Sequence, residues 1–156
     1  MTKIVLTRAV AAPPPEIFVF FVPQRMPYWY GAEMHSCFEV QDGAADFSVG
    51  LKVRISGTIG RRQVSHTAVV TAYQYQRLLE WRFQDAYGVR GRERWELEAQ
   101  DRPAPLGSPS IVRFTDEYTM PGVVGSVADW LITRHAIARR NREYLDRLAR
   151  LAERQP

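Results

Sequence analysis

The sequence predicts an α+β fold in which an open antiparallel sheet of about seven strands is covered by one long C-terminal helix. Two observations carry this. From about Ser126 to Glu153 the chain has no Pro or Gly, and its apolar residues recur at i, i+3 and i+4, the stripe of an amphipathic helix. Between residues 35 and 119, by contrast, apolar and polar side chains alternate with period 2, as in strands that are buried on one face and wet on the other. The helix is roughly 42 Å long at 1.5 Å per residue. Its stripe runs through Val127, Trp130, Leu131, Ile137, Ala138, Tyr144, Leu145, Leu148, Leu151 and Ala152, with Arg134 and Asn141 as polar members.

Residues 3–10 alternate as a first strand, which Ala11-Ala12-Pro13-Pro14-Pro15 stops. Proline is tolerated in the first turn of a helix, so a short helix begins near Pro14 or Pro15. Its continuation, Ile17 to Val22, is apolar on every side and is expected to be buried. Pro23 and Pro27 confine the next stretch to turns or a second short helix bearing Tyr28-Trp29-Tyr30. Strands are expected at His35–Val40, Gly50–Ile59, Ser65–Tyr73, Arg77–Phe83, Val89–Glu98 and Ser110–Thr119. Asp42-Gly43 and the Pro/Gly/Ser-rich run from Asp101 to Pro109 supply turn and loop chemistry. Pro121-Gly122 ends the sheet, and Ser126 with Asp129 resembles a capping box opening the long helix.

A chain of 156 residues fits one domain, 1–156, with a substantial core. No apolar run reaches the ~20 residues needed to span a bilayer. The N-terminus alternates like a strand and lacks a signal-peptide core, so a cytoplasmic location is expected. The net charge is +4, with nineteen Arg against two Lys. That excess permits weak attraction to anionic partners, but the arginines are dispersed and interleave with acids in the last helix, where Glu143–Arg147 and Asp146–Arg150 are i,i+4 pairs. Nucleic acid is therefore not expected as a partner, and the oligomeric state is left open. The single cysteine, Cys37, has no disulfide partner and no Cys/His cluster nearby; a small buried apolar side chain is expected there.

Two acids break the apolar faces. Asp116 falls between Phe114 and Tyr118, and Glu93 between Val89 and Trp95, all on the sides that alternation turns inward. A carboxylate there must be paired or protonated, because burying it alone costs several kcal/mol. Arg134 on the helix stripe is the expected partner of either. Such a cluster orients a ligand hydroxyl or carbonyl, or performs acid/base chemistry with a raised-pKa carboxyl; the plainer alternative is a structural ion pair, or a strand end displaced by a bulge. His66 and His35 are candidates for proton transfer, with a strand-end or surface position as the alternative. The spacing of His35, His66 and His135 fits no metal-ligand motif, so no metal or cofactor is expected. No nucleophile elbow accompanies them, and Gly57-Thr58-Ile59-Gly60 is a strand ending, not a phosphate loop.

Three stretches carry a family resemblance. Val10-Ala11-Ala12-Pro13 to Phe21 with Tyr28-Trp29, Gln76-Arg77-Leu78-Leu79-Glu80-Trp81 within Val70–Trp81, and Trp130-Leu131 to Leu151 follow one another along nearly the whole chain. This order resembles the helix-grip superfamily, which includes START lipid-binding domains, the birch-pollen-allergen fold and polyketide cyclase/dehydrase-like proteins of bacteria (the SRPBCC group). The resemblance implies a sheet curved around the long helix, with a hydrophobic ligand between them. The alternation then nominates Trp81, Phe83, Trp95, Phe114 and Tyr118 from the sheet as cavity lining. Trp130, Arg134, Ile137 and Asn141 join them from the helix, and Trp29 and Tyr30 stand near the mouth. Core packing is the competing role for each aromatic.

The expected function is binding of a small hydrophobic or aromatic molecule such as a lipid, sterol or polyketide, as carrier or sensor. An enzyme of the polyketide cyclase/aromatase kind is the alternative, with Asp116, Glu93, Arg134 and His66 as its candidate acid/base residues. A ribosome- or membrane-quinone-associated module is a further alternative that the resemblance implies.

Overall fold

A computed structural model describes residues 1–101 and 109–154, with the side chains of residues 125, 126 and 128–130 outside the description. The chain runs through β1 (Thr2–Val10), α1 (Pro14–Phe18), two single-turn 3₁₀ helices (Met26–Tyr28 and Ala32–Met34) and β2 (Cys37–Val40). β3 (Lys52–Ile59), β4 (Arg62–Gln74), β5 (Leu78–Asp85), β6 (Arg90–Ala99) and β7 (Ser110–Thr119) follow as successive antiparallel strands. A helical segment, α2 (Gly122–Ala128), then passes through a π-helical turn (Asp129–Thr133) into α3 (Arg134–Glu153). The sheet has the order β1-β7-β6-β5-β4-β3-β2.

This is the α+β helix-grip architecture that the sequence predicts, with seven strands. The outermost residues differ. β4 reaches three residues before Ser65, because the tight β3–β4 turn at Gly60-Arg61 lets pairing run back to Ile59↔Arg62. β2 starts only at Cys37, because His35 adopts a left-handed conformation (φ +50°) that cannot continue a strand. β4 also carries a bulge at Thr71, so that Val70 opposite Trp81 and Tyr73 opposite Leu79 both stay on the inner face. The Asp101–Pro109 loop falls largely on residues outside the description.

The core is shared by the inner face of the sheet, α1 and the C-terminal part of α3. Ile17, Phe18, Phe21, Met26 and Trp29 pack from the β1–β2 connection, and Tyr144, Leu145, Leu148, Ala149 and Ala152 from α3. Val19, expected to be buried with its neighbours, is 37% exposed. The largest correction concerns the long helix. It begins at Gly122 and contains a π-helical turn, which shifts the side-chain phase locally. Val127 and Leu131 of the predicted stripe are 54% and 56% exposed. The expected capping pair Ser126–Asp129 has its side chains outside the described set.

Cys37 is exposed and not buried, because it is the first residue of an edge strand. Asp146 pairs with Arg8 (3.4 Å) and not with Arg150, while Arg147 bridges Glu33 (2.7 Å) and, more loosely, Glu143 (3.7 Å).

Candidate functional site

The register of the two central strands builds the site. Glu93 on β6 and Asp116 on β7 are direct cross-strand partners, so their side chains leave the same face of the sheet side by side. Glu93 is 3% and Asp116 2% exposed. Tyr30, brought over the sheet by the turns after Pro27, donates its hydroxyl to Glu93 Oε2 at 2.9 Å and Oε1 at 3.2 Å. Trp81, cross-strand from Glu93 on β5, donates its indole N–H to Oε2 at 2.8 Å. From α3, Asn141 Nδ2 donates to Asp116 Oδ2 at 2.8 Å.

Burial, and after it the neighbouring Asp116 carboxylate, push the Glu93 carboxyl up to about 8 against the Tyr30 and Trp81 hydrogen bonds and the Arg140 charge. Two carboxyls this close in a dry environment do not both ionise readily. Glu93 therefore holds a proton through most of the neutral range. The Tyr30 hydroxyl is raised well above its ordinary value by burial and by Glu93, so it serves as a donor and not as a base.

A cavity of about 270 Å³ opens from this acid pair toward the β3–β4 and β5–β6 turns. Met34, Ile55, Phe83, Tyr118, Ile137 and Tyr144 form much of its apolar wall. Its ionisable groups include Glu93, Asp116, Arg140 and His66, with Asp85 nearer the strand ends, and Tyr30, Ser56 and Ser65 also line it. Burial, together with the Arg140 charge, lowers His66 to about 4 even though Asp85 opposes this. The imidazole is thus neutral at pH 7, and among the described residues its buried Nε2 has no hydrogen-bond partner. Arg140 Nε is likewise buried without one, while its guanidinium carbon sits 5.7 Å from the Tyr144 ring centre, at cation–π distance. A polar ligand atom is the natural complement to two such groups.

The nominated residues divide on this geometry. Tyr30, His66, Phe83, Glu93, Asp116, Tyr118 and Ile137 line the cavity. Asn141 acts from behind, on Asp116. Trp81 touches the site only through its hydrogen bond to Glu93. Trp29, Trp95 and Phe114 belong to the packed core: Trp95 stacks on Phe114 with ring centres 4.7 Å apart, and the Trp29 indole N–H is spent on the Phe20 carbonyl at 3.0 Å. Trp29 and Tyr30 are accordingly not at the mouth; both are buried, and only Tyr28 of that trio is exposed. The Trp130 side chain lies outside the described residues. Arg134 is exposed and does not line the cavity; the positive charge that acts on Glu93 and Asp116 comes from Arg140 and not, as expected, from Arg134. His35 and His135 are exposed as well.

Arg140 and Tyr144 also line the cavity, although the sequence analysis does not nominate them for it. The signal was present: Arg140 lies three residues after Ile137 and four before Tyr144, the spacing that places side chains on one helix edge. Among the described residues, no three His, Cys, Asp or Glu side chains gather as metal ligands would.

The sequence profile of the family described as polyketide cyclase/dehydrase and lipid transport matches residues 1–153. Among solved structures, a structural-genomics protein of Mesorhizobium loti superposes with a TM-score of 0.70 at 16% identity, covering 99% of each chain. A protein of Arthrobacter aurescens gives 0.72 at 13% identity, over 98% of this chain and 87% of its own. DynU16, from the dynemicin biosynthetic locus, gives 0.64 at 18% identity, over 97% of this chain and 47% of its own. At these identities the likenesses establish the fold. No curated protein matches the sequence.

Proposed function

This chain belongs to the polyketide cyclase/dehydrase and lipid transport family, and we propose that it holds one compact, largely apolar molecule bearing a carbonyl or hydroxyl group in the cavity under α3. The observation that carries this is the combination of an apolar wall with a protonated Glu93, Arg140 and the unpartnered His66 Nε2 facing one enclosed space. Apolar burial supplies most of the affinity, and the few polar groups orient the guest. A volume of about 270 Å³ is the space of about nine water molecules at ~30 Å³ each, just below the usual range for ligand sites. One- or two-ring molecules suit it better than the lipids and sterols expected from the family resemblance.

A second reading, proton-transfer catalysis, is favoured by the Glu93–Asp116 pair itself. A carboxyl that keeps its proton at neutral pH can donate it to a ligand oxygen, and a second carboxyl beside it can accept one from an adjacent C–H or O–H. This is the chemistry that a cyclase or dehydrase requires.

The test is a melting screen of simple phenols, naphthols and cyclic ketones against palmitate and cholesterol. Saturating a site at 100 times Kd adds about 2.7 kcal/mol of stability. The compact oxygenated compounds should raise the melting temperature, and Phe83→Trp, which fills the cavity, should abolish the shift. Stabilisation by sterol alone, or an unchanged response in Phe83→Trp, overturns the assignment. Catalysis is separated from carriage by Glu93→Gln, which should stop turnover of a bound ketone while leaving the melting shift in place.

A further inference from the structure

The helix that follows the last strand carries large apolar side chains on a broad front, and among the described residues nothing covers them. Val123 is 81% exposed, Val124 84%, Val127 54%, Leu131 56% and Ile132 71%. Scattered exposed aliphatics are ordinary, but five within ten residues of one helical segment mark a contact surface. Val124 and Val127 stand at i and i+3 on α2 beside Val123, and Leu131 and Ile132 follow in the π-helical turn. No described helix is long and apolar enough to cross a membrane.

The same end of the molecule is the open end of the cavity. Ile59 and Tyr87, 55% and 62% exposed, both line it, and so does Met120, two residues before α2. The charge bordering this apolar surface is one-sided. Arg61 in the β3–β4 turn and Arg62 at the start of β4 are exposed, as are Arg90, Arg134 and Arg139. Residues 120–142 contain one acid, Asp129, against Arg134, Arg139, Arg140 and Arg142. Asp85 is engaged locally, its Oδ1 accepting from the Tyr87 and Val89 N–H groups.

We propose that the α2–π segment and the arginine-bordered cavity mouth form a docking surface for an anionic lipid bilayer. Val124, Val127 and Leu131 enter the boundary between headgroups and acyl chains, and Arg61, Arg62 and Arg134 meet lipid phosphates. Interfacial helices bind in this way, with apolar burial and electrostatic attraction adding together. A second copy of the chain fits less well, since a two-fold contact through this face brings arginines against arginines. Docking at the mouth also lets an apolar guest pass between bilayer and cavity without crossing bulk water.

The experiment is flotation of the full chain with vesicles of pure phosphatidylcholine and with vesicles containing about one-third phosphatidylglycerol. The protein should float with the anionic vesicles at least ~10-fold more than with the neutral ones, and release as salt screens the phosphates. Val124→Asp/Leu131→Asp changes only exposed positions, so it should keep the parent melting temperature and lose flotation. Arg61→Glu/Arg62→Glu, remote from the helix, should weaken binding by about fivefold or more per arginine. Absence of anionic-vesicle binding by the parent protein overturns the proposal. So does undiminished flotation of the folded Val124→Asp/Leu131→Asp variant. A parent dimer that this variant dissociates assigns the surface to self-association and overturns it equally.

Discussion

The buried acid pair and the buried histidine make opposite contributions to stability as pH changes, and this sets up a decisive test. Glu93 moves from 4.5 to about 8 on folding. Its folded pKa is the higher one, so the folded state holds the extra proton between these values. The resulting stability is fully present below pH 4.5 and is lost as pH rises through 8. His66 moves from 6.5 down to about 4. Here the unfolded state holds the extra proton, so its contribution is full above pH 6.5 and is lost as pH falls toward 4. Each proton is worth about 1.4 kcal/mol per pH unit. Between pH 4.5 and 6.5 the two slopes nearly cancel. From pH 6.5 to 8 Glu93 acts almost alone and should remove about 1–2 kcal/mol, allowing for rounding near each pKa.

Urea unfolding at a series of pH values measures this directly, and differences between variants cancel all other titrating groups. Glu93→Gln keeps an acceptor for Tyr30 and Trp81 but cannot ionise. Its stability should stay level from pH 6.5 to 8 and rise by about 2 kcal/mol from 4.5 to 6.5, as His66 alone then dictates. His66→Phe should do the reverse in the lower window, falling by about 2 kcal/mol while retaining the parent slope above pH 6.5. If the stability difference between Glu93→Gln and the parent does not change with pH, Glu93 is ionised in the folded protein and the reasoning behind the site fails.

Arg140→Met should raise the Glu93 pKa further, because it removes a nearby positive charge; the upper limb of the same pH profile then moves to higher pH. Arg134→Ala, at an exposed position, should change stability by less than about 0.5 kcal/mol and leave that profile in place. On the outer face, burial works to raise the Glu80 carboxyl, but hydrogen bonds from Thr71 and Arg94 outweigh it and lower the pKa. Thr71→Val removes the 2.8 Å bond and should cost about 1.5–3 kcal/mol in a urea melt. At Gly91 an added Cβ would collide with the Glu117 carbonyl oxygen and the Phe83 ring. Gly91→Ala should therefore destabilise by about 1–3 kcal/mol or more, and displacement of Phe83 should weaken the melting shift given by small ligands.

The sheet was the most legible part of the molecule, because the side-chain period of a strand needs no knowledge of its neighbours. Alternation alone located β7 at Ser110–Thr119 and turned Glu93, Trp95, Leu97, Val112, Phe114 and Asp116 inward, where they are buried. What alternation does not contain is the pairing of strands. That Glu93 and Asp116 are neighbours follows from the β6–β7 register, which depends on a loop whose length and geometry the period does not report. Nor does the pattern separate an aromatic that faces a cavity from one that is packed. Phe83 and Trp95 occupy equivalent inward positions, but only Phe83 lies far enough toward the turns to be left uncovered by α3.

The helix explains why Arg140, and not Arg134, lines the cavity. Arg134, Ile137, Asn141, Tyr144 and Leu148 follow one another at intervals of three and four, a continuous stripe on a straight helix lying flat on its sheet. The buried residues of α3 begin only at Asn141. The helix packs chiefly against β1 and α1. Toward its N-terminal end the same helix stands over open space. There an inward phase no longer means burial, and Arg134 points to solvent despite sharing the stripe. Arg140, at the edge of the stripe and one turn before Tyr144, remains close enough to the sheet to reach Glu93, Asp116 and His66. Because the buried part of α3 begins at Asn141, the charge that serves the cavity comes from residue 140 and not 134, and the valines and leucine of the preceding turns stay exposed.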